Sequence, residues 1–211
     1  FAAVGGGRHN RRPTRFRTPS MPRLSVALIA LVSLLAACST APQRLDLKPA
    51  IEVTGRNVGQ GTPVAVQVID RRELTEAQRS GAVTGIDPKV NVVDVVYQEA
   101  TRALERLGFA VEPTASPLSN TLTLELLRIN YDLSTAVMKK TVFIDADVRA
   151  TAKSGGNSFA TTYRAHQEQD VAFLPAPATS QRLINETLSN ALSRAFADPQ
   201  LMGVLTQRGT P

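Results

Sequence analysis

Thiol chemistry is almost missing from this chain. Cys38 is its one cysteine, so no disulfide can close within it. Downstream of that cysteine no serine stands in a Gly-x-Ser-x-Gly elbow. The paired glycines there, Gly155-Gly156, have no helix behind them to cradle a phosphate. No internal repeat marks a solenoid. Long apolar runs are absent too. The longest uncharged, largely apolar stretch, residues 24–37, has 14 residues. As a helix it would span roughly 21 Å, against about 30 Å of bilayer hydrocarbon, which excludes a transmembrane anchor.

What is present begins with a leader. Residues 1–20 are rich in Arg, Gly and Pro and show no apolar periodicity. They read as an over-extension upstream of a true start at Met21. Arg11-Arg12 raises a twin-arginine signal, but the residues that follow fit it poorly. "MPRLSVALIALVSLLAAC" then supplies one basic residue, Arg23, an apolar core and small residues before the cysteine, which is the layout of a secretory signal peptide over residues 21–37.

"LAAC", residues 35–38, resembles the lipobox of bacterial lipoproteins. The resemblance implies cleavage between Ala37 and Cys38 and acylation of the thiol. A buried structural cysteine or a thiol for a partner are the alternatives, and position decides between them, because the residue follows a signal-peptide core and precedes a polar stretch. Three acyl chains of about fifteen methylenes, at about 0.8 kcal/mol each, give on the order of 35 kcal/mol, a permanent anchor. In lipoproteins of this kind an aspartate after the cysteine favours inner-membrane retention. Ser39 therefore implies sorting to the outer membrane, on its periplasmic face.

Charge points the same way. The formal net charge of +6 invites a nucleic-acid reading. Yet Arg8, Arg11, Arg12, Arg15, Arg17 and Arg23 all precede Cys38, and no acidic residue does. After the cysteine 18 basic residues face 18 acidic ones, interspersed, with no basic run longer than a pair. Nucleic acid is not an expected partner.

Residues 38–50 read as the lipidated cysteine and a flexible tether with two prolines, and 51–211 as a single domain with a real core. Val64, Val66 and Val68 alternate as a strand. A loop follows, with a short strand near Val83. Asn91 caps a helix whose apolar stripe runs from Val92 to Leu107, ended by Gly108. "FAVEP" is an edge strand. In "NTLTLELLRINYDL" Leu122, Leu124 and Leu126 share one face, and the pattern then switches to Leu127, Ile129, Tyr131 and Leu133. The switch suggests a bulge, or a strand covered on both faces over part of its length. "TVFIDADVRATAK" and "FATTYRAHQEQDVAF" form a hairpin about Gly155-Gly156. A second helix carries Leu183, Ile184, Leu188 and Leu192, Asp198-Pro199 ends it, and "QLMGVL" forms a last turn. The expected fold is α+β, a two-layer sandwich of a largely antiparallel sheet with two amphipathic helices on one face.

These segments resemble the YajG family of bacterial lipoproteins. "VAVQVIDRR", the hairpin to Tyr163-Arg164-Ala165 and the helix to "ADPQLMGVLTQ" carry the likeness. None is a catalytic motif. The resemblance implies address and fold, with Cys38 the one residue whose role carries over.

Chemistry in the domain is sparse. His9 lies in the leader, so His166 stands alone and neither a zinc cluster nor a His-paired thiol can form. His166, Glu168 and Asp170 alternate along one strand, as do Asp145 and Asp147. Side chains spaced this way in one strand diverge too far to meet on one ion, so a solvated polar face is expected. Asp70, Arg71 and Arg72 suggest a strand-end ion pair rather than an anion site. No catalytic residue, cofactor or metal is expected. Two functions remain: a non-catalytic binding or structural module of the envelope, or an accessory subunit of an envelope transport or assembly machine. The sequence does not determine the oligomeric state or name an envelope protein partner.

Overall fold

Alternating valines build the first long strand, and an apolar stripe at helical spacing builds the first helix. The computed structural model describes residues 44–73, 85–86, 91–116, 119–136, 139–173 and 175–207. Its strands are β1 (Arg44–Leu45), β2 (Pro63–Asp70), β3 (Gly85–Ile86), β4 (Ala110–Glu112), β5 (Asn120–Ala136), β6 (Lys139–Ser154) and β7 (Asn157–Val171). Its helices are α1 (Val92–Arg106), α2 (Pro177–Ala197) and α3 (Pro199–Leu205). Val83 lies outside the described residues.

The main sheet has the order β4-β2-β5-β6-β7. β5, β6 and β7 form an antiparallel meander, while β2 lies parallel to both β4 and β5. The α+β expectation stands, with a sheet that is mixed. Parallel neighbours need a crossover, and α1 provides the one between β2 and β4. Asn91 Oδ1 accepts from the Asp94 amide at 3.3 Å to start that helix. Gly108 ends it at φ +85, where an added Cβ would lie 2.8 Å from Asn57 Oδ1. The register shifts at the expected bulge between Leu126 and Arg128 and turns Leu127 outward.

One face of the sheet holds the core. Leu122, Leu124 and Leu126 of β5 and Val142, Ile144, Ala146, Val148 and Ala150 of β6 are fully buried. The helices cover them, α1 over β2 and β4, α2 over β6 and β7. With strands about 4.8 Å apart, the two helix axes sit about 14 Å from each other, while helices in direct contact pack at about 8–10 Å. A slot about the width of an extended chain is left over β5.

Residues 46–52 fill it. Leu47, Pro49 and Ile51 are buried, Leu47 with 1% exposure. The alternate residues face outward, and their amides donate to α2: Lys48 N to Asn185 Oδ1 at 2.8 Å, Ala50 N to Ser189 Oγ at 2.9 Å, Glu52 N to Ser193 Oγ at 2.9 Å. Two residues of extended chain advance about 6.6 Å and four residues of helix about 6 Å, so the two ladders stay in step. On the other side Ile51 N donates to Glu99 Oε1 of α1 at 3.1 Å, and Arg106 Nη2 donates to Ile51 O at 2.7 Å. Pro49, which has no amide hydrogen, occupies a position that donates nothing.

This strap corrects the expectation of a flexible tether through Ala50 and a domain starting at Ile51. The chain is built into the fold from Arg44, where β1 pairs with β3. Leu47→Ala is therefore expected to lower stability by about 2–5 kcal/mol, as core leucines do. Urea unfolding of the two proteins measures it. A change within about 0.5 kcal/mol, typical of exposed sites, would return this segment to a tether.

Candidate functional site

Cys38, Ala37 and Ser39 lie outside the described residues, so the acylation site is a matter of sequence. The other candidates lie on the sheet face away from the helices, and register decides which of them meet.

Asp145 of β6 and His166 of β7 are cross-strand partners, with His166 Nδ1 2.8 Å from Asp145 Oδ1. The imidazole stacks against Phe143, ring centres 6.3 Å apart. Asp170 instead accepts from Thr141 Oγ1 at 3.0 Å, and Glu168 stands opposite Phe143. The His166, Glu168 and Asp170 trio thus divides among different neighbours. Among the described residues no group of three His, Cys, Asp or Glu side chains is placed to share a metal ion.

Asp147 lies between Arg128 at 3.7 Å and Arg164 at 4.0 Å, and Glu125 between Arg71 at 3.3 Å and Arg149 at 3.9 Å. Opposite charges alternate across this face, each exposed pair contributing modestly. At the end of β2, Asp70 takes a two-pronged contact from Arg72, Nε to Oδ1 at 2.9 Å and Nη2 to Oδ2 at 2.7 Å. The Arg72 side chain is 8% exposed. Its hydrogen bond holds the Asp70 carboxyl below the usual carboxylate range. The strand-end ion pair expected here is the one that forms.

Beside it lies a cleft of about 410 Å³ bordered by Arg71, Arg72, Leu127 and Arg128. Sequence reasoning passed over Arg128 and set Leu127 with Ile129 and Tyr131, but Leu127 is 36% exposed while those two are buried. The signal was the switch after Leu126, because the bulge is what turns both outward. Three guanidiniums around one cleft attract anions, but each already contacts a carboxylate. Glu73 and Asn130 border the cleft as well. A second groove of about 430 Å³ runs between the strap and α2, bordered by Lys48, Ala178 and Arg182.

Tyr163-Arg164-Ala165 serves architecture. Tyr163 donates its hydroxyl to Asp198 Oδ2 at 2.7 Å, Arg164 O accepts from Arg194 Nη1 at 2.5 Å, and Ala165 is buried. Asp198 separates α2 from α3 and caps α3 by accepting from the amides of Gln200 at 2.7 Å and Leu201 at 3.4 Å. Burial pushes the Tyr163 hydroxyl well above its ordinary value, aided by the bond to Asp198. For Asp198 burial acts upward, but the Tyr163 bond and the two amides outweigh it and hold the carboxyl low.

A family model described as uncharacterized lipoprotein, Lipoprotein_16, matches residues 49–206. The chain belongs to this family. The match takes in the end of the strap, both long helices and the cap at Asp198. No curated protein matches its sequence. Among solved structures, a Xanthomonas campestris protein is similar at 9% identity and TM-score 0.46, over 76% of this chain and 95% of the other. A neuraminyllactose-binding hemagglutinin homolog from Helicobacter pylori is similar at 10% identity and TM-score 0.38, over 72% and 94%. A Neisseria meningitidis lipoprotein is similar at 12% identity and TM-score 0.26, over 59% and 94%. Likeness at this level carries no functional argument.

Asp198→Ala is expected to cost about 0.5–2 kcal/mol at neutral pH, the usual loss of a helix N-cap. A carboxyl held low in the folded state stabilises above its ordinary value of 3.8, and that contribution is lost as pH falls through the lowered value. The difference between the two proteins should therefore shrink in acid. Thermal unfolding from pH 7 to pH 2 checks it, and a penalty that stays constant across that range would contradict the assignment.

Proposed function

We propose that this chain is a lipid-anchored, non-catalytic binding or structural module of the bacterial cell envelope. In this reading the leader is cut between Ala37 and Cys38, Cys38 is acylated, and Ser39 directs the protein to the periplasmic face of the outer membrane. The observation that carries the reading is the pairing of "LAAC" at residues 35–38 with a domain of a lipoprotein family that begins a few residues later. The alternating ion pairs of the open face and the arginines around the cleft support a role in binding. Five residues, 39–43, separate the cysteine from β1. At about 3.3–3.6 Å per residue they hold the domain within about 20 Å of the bilayer.

One observation favours the accessory-subunit reading. β7 forms one edge of the main sheet with fifteen residues, and among the described residues no strand lies on its outer side. Such an edge is a template for strand addition by a partner.

Cys38→Ser is expected to leave an uncleaved precursor that takes up no radiolabelled palmitate. Normal processing in that variant would overturn the anchor. In sucrose gradients the natural chain should band with outer-membrane markers and Ser39→Asp should move inward. A natural chain that bands with inner-membrane markers, unmoved by Ser39→Asp, would overturn the sorting assignment.

A further inference from the structure

The loop from β7 to α2 is built of residues that water does not favour. Positions 171–178 read Val-Ala-Phe-Leu-Pro-Ala-Pro-Ala, and no acidic residue lies between Asp170 and Glu186. Phe173 is 82% exposed, while the next large apolar side chains among the described residues, Val58 and Leu127, reach 36%. Ala172, Ala176, Pro177 and Ala178 around it are exposed as well. A bare phenyl ring set in an uncharged, exposed stretch marks a surface that another phase or molecule covers.

The strap says which. Its ladder pairs Lys48 with Asn185, Ala50 with Ser189 and Glu52 with Ser193, so strap and helix run in the same direction. Traced backwards at two strap residues per helical turn, Arg44 falls beside the first turn of α2, the turn that follows the loop carrying Phe173. Lys48 and Ala178 border the same groove, and β1 packs on α2. The chain thus enters the domain at the end where the apolar loop stands. Residues 39–43 are all that separate this entry from Cys38. Register adds a basic residue here: Lys140 pairs with Val171, the last residue of β7. The first turn of α2 carries no carboxylate to repel lipid phosphates.

We propose that this end of the domain faces the bilayer, and that the β7–α2 loop enters its interfacial layer with Phe173 as the inserted side chain. The occupant of the exposed patch is the lipid surface to which the chain is anchored, so the inference rests on the anchoring proposed above. Pro175 and Pro177 suit such a loop, because they bring no amide hydrogens that would lose water on entering the interface. The arginine-lined cleft and the β7 edge then remain free for a periplasmic partner while the acyl chains and Phe173 hold the domain to the membrane at two points.

The sequence contains no tryptophan, so Phe173→Trp in the full, processed lipoprotein creates a single tryptophan, excited selectively at its red edge. Gly156→Trp, in the hairpin at the other end of the sheet where an added side chain meets open space, is the control. Both are reconstituted into phosphatidylethanolamine–phosphatidylglycerol vesicles containing brominated lipid, and flotation scores anchoring separately. The expected result is a blue-shifted Phe173→Trp emission quenched several-fold more strongly by brominated lipid than that of Gly156→Trp, which iodide in the water quenches instead. If both variants float with vesicles yet Phe173→Trp is quenched by iodide alone, the membrane-facing loop is overturned and the anchor stands. Failure of both to float overturns the anchor and the inference together.

Discussion

The slot between α1 and α2 is the constraint on which the rest depends. The sheet is five strands wide, and the two long helices stand over its opposite halves, too far apart to close on each other. An extended chain of about the same width fits between them. It must bring apolar side chains to one side and satisfy its own amides on the other. Leu47, Pro49 and Ile51 meet the first demand, and Asn185, Ser189, Ser193 and Glu99 the second. The match between two residues of strand and one turn of helix makes a single row of polar side chains on α2 sufficient.

The same strap relates fold to membrane. A long flexible leash would let the domain turn freely above the bilayer. With Cys38 lipidated as proposed, a leash that ends at Arg44 would leave only a few residues between the anchor and a rigid body, so attachment would also restrict orientation. The exposed loop around Phe173 lies at the end this restriction would favour. The charged face of β5, β6 and β7 has a different character, with Asp147 and Glu125 each held between two arginines.

Much of the framework could be read locally. Asn91 as a cap, Gly108 beyond the end of α1, the bulge after Leu126, the hairpin at Gly155-Gly156 and the stop at Asp198-Pro199 each depend on a few adjacent residues and their backbone preferences. The strap escaped because "LDLKPA" is short, charged at Asp46 and Lys48 and set among the prolines at 42 and 49, which describes a linker equally well. Its period-two signal in Leu47, Pro49 and Ile51 acquires meaning only beside a helix with acceptors at matching intervals. The arginine-lined cleft escaped for a related reason. Arg71 and Arg72 are far from Arg128 in sequence, and only the parallel pairing of β2 with β5 brings them together.

The sequence by itself determined the elements, the caps, the inward faces and the cysteine of the lipobox-like segment, because periodicity, capping and a cleavage motif are written in neighbouring residues. The tertiary structure decided what met across distance: the strap in its slot, Tyr163 against Asp198, Asp145 against His166, and the apolar loop beside the chain's entry. Those contacts depend on sheet register and on the spacing of packed helices. Both are set by burying one face of five strands at once, which no local stretch of sequence specifies.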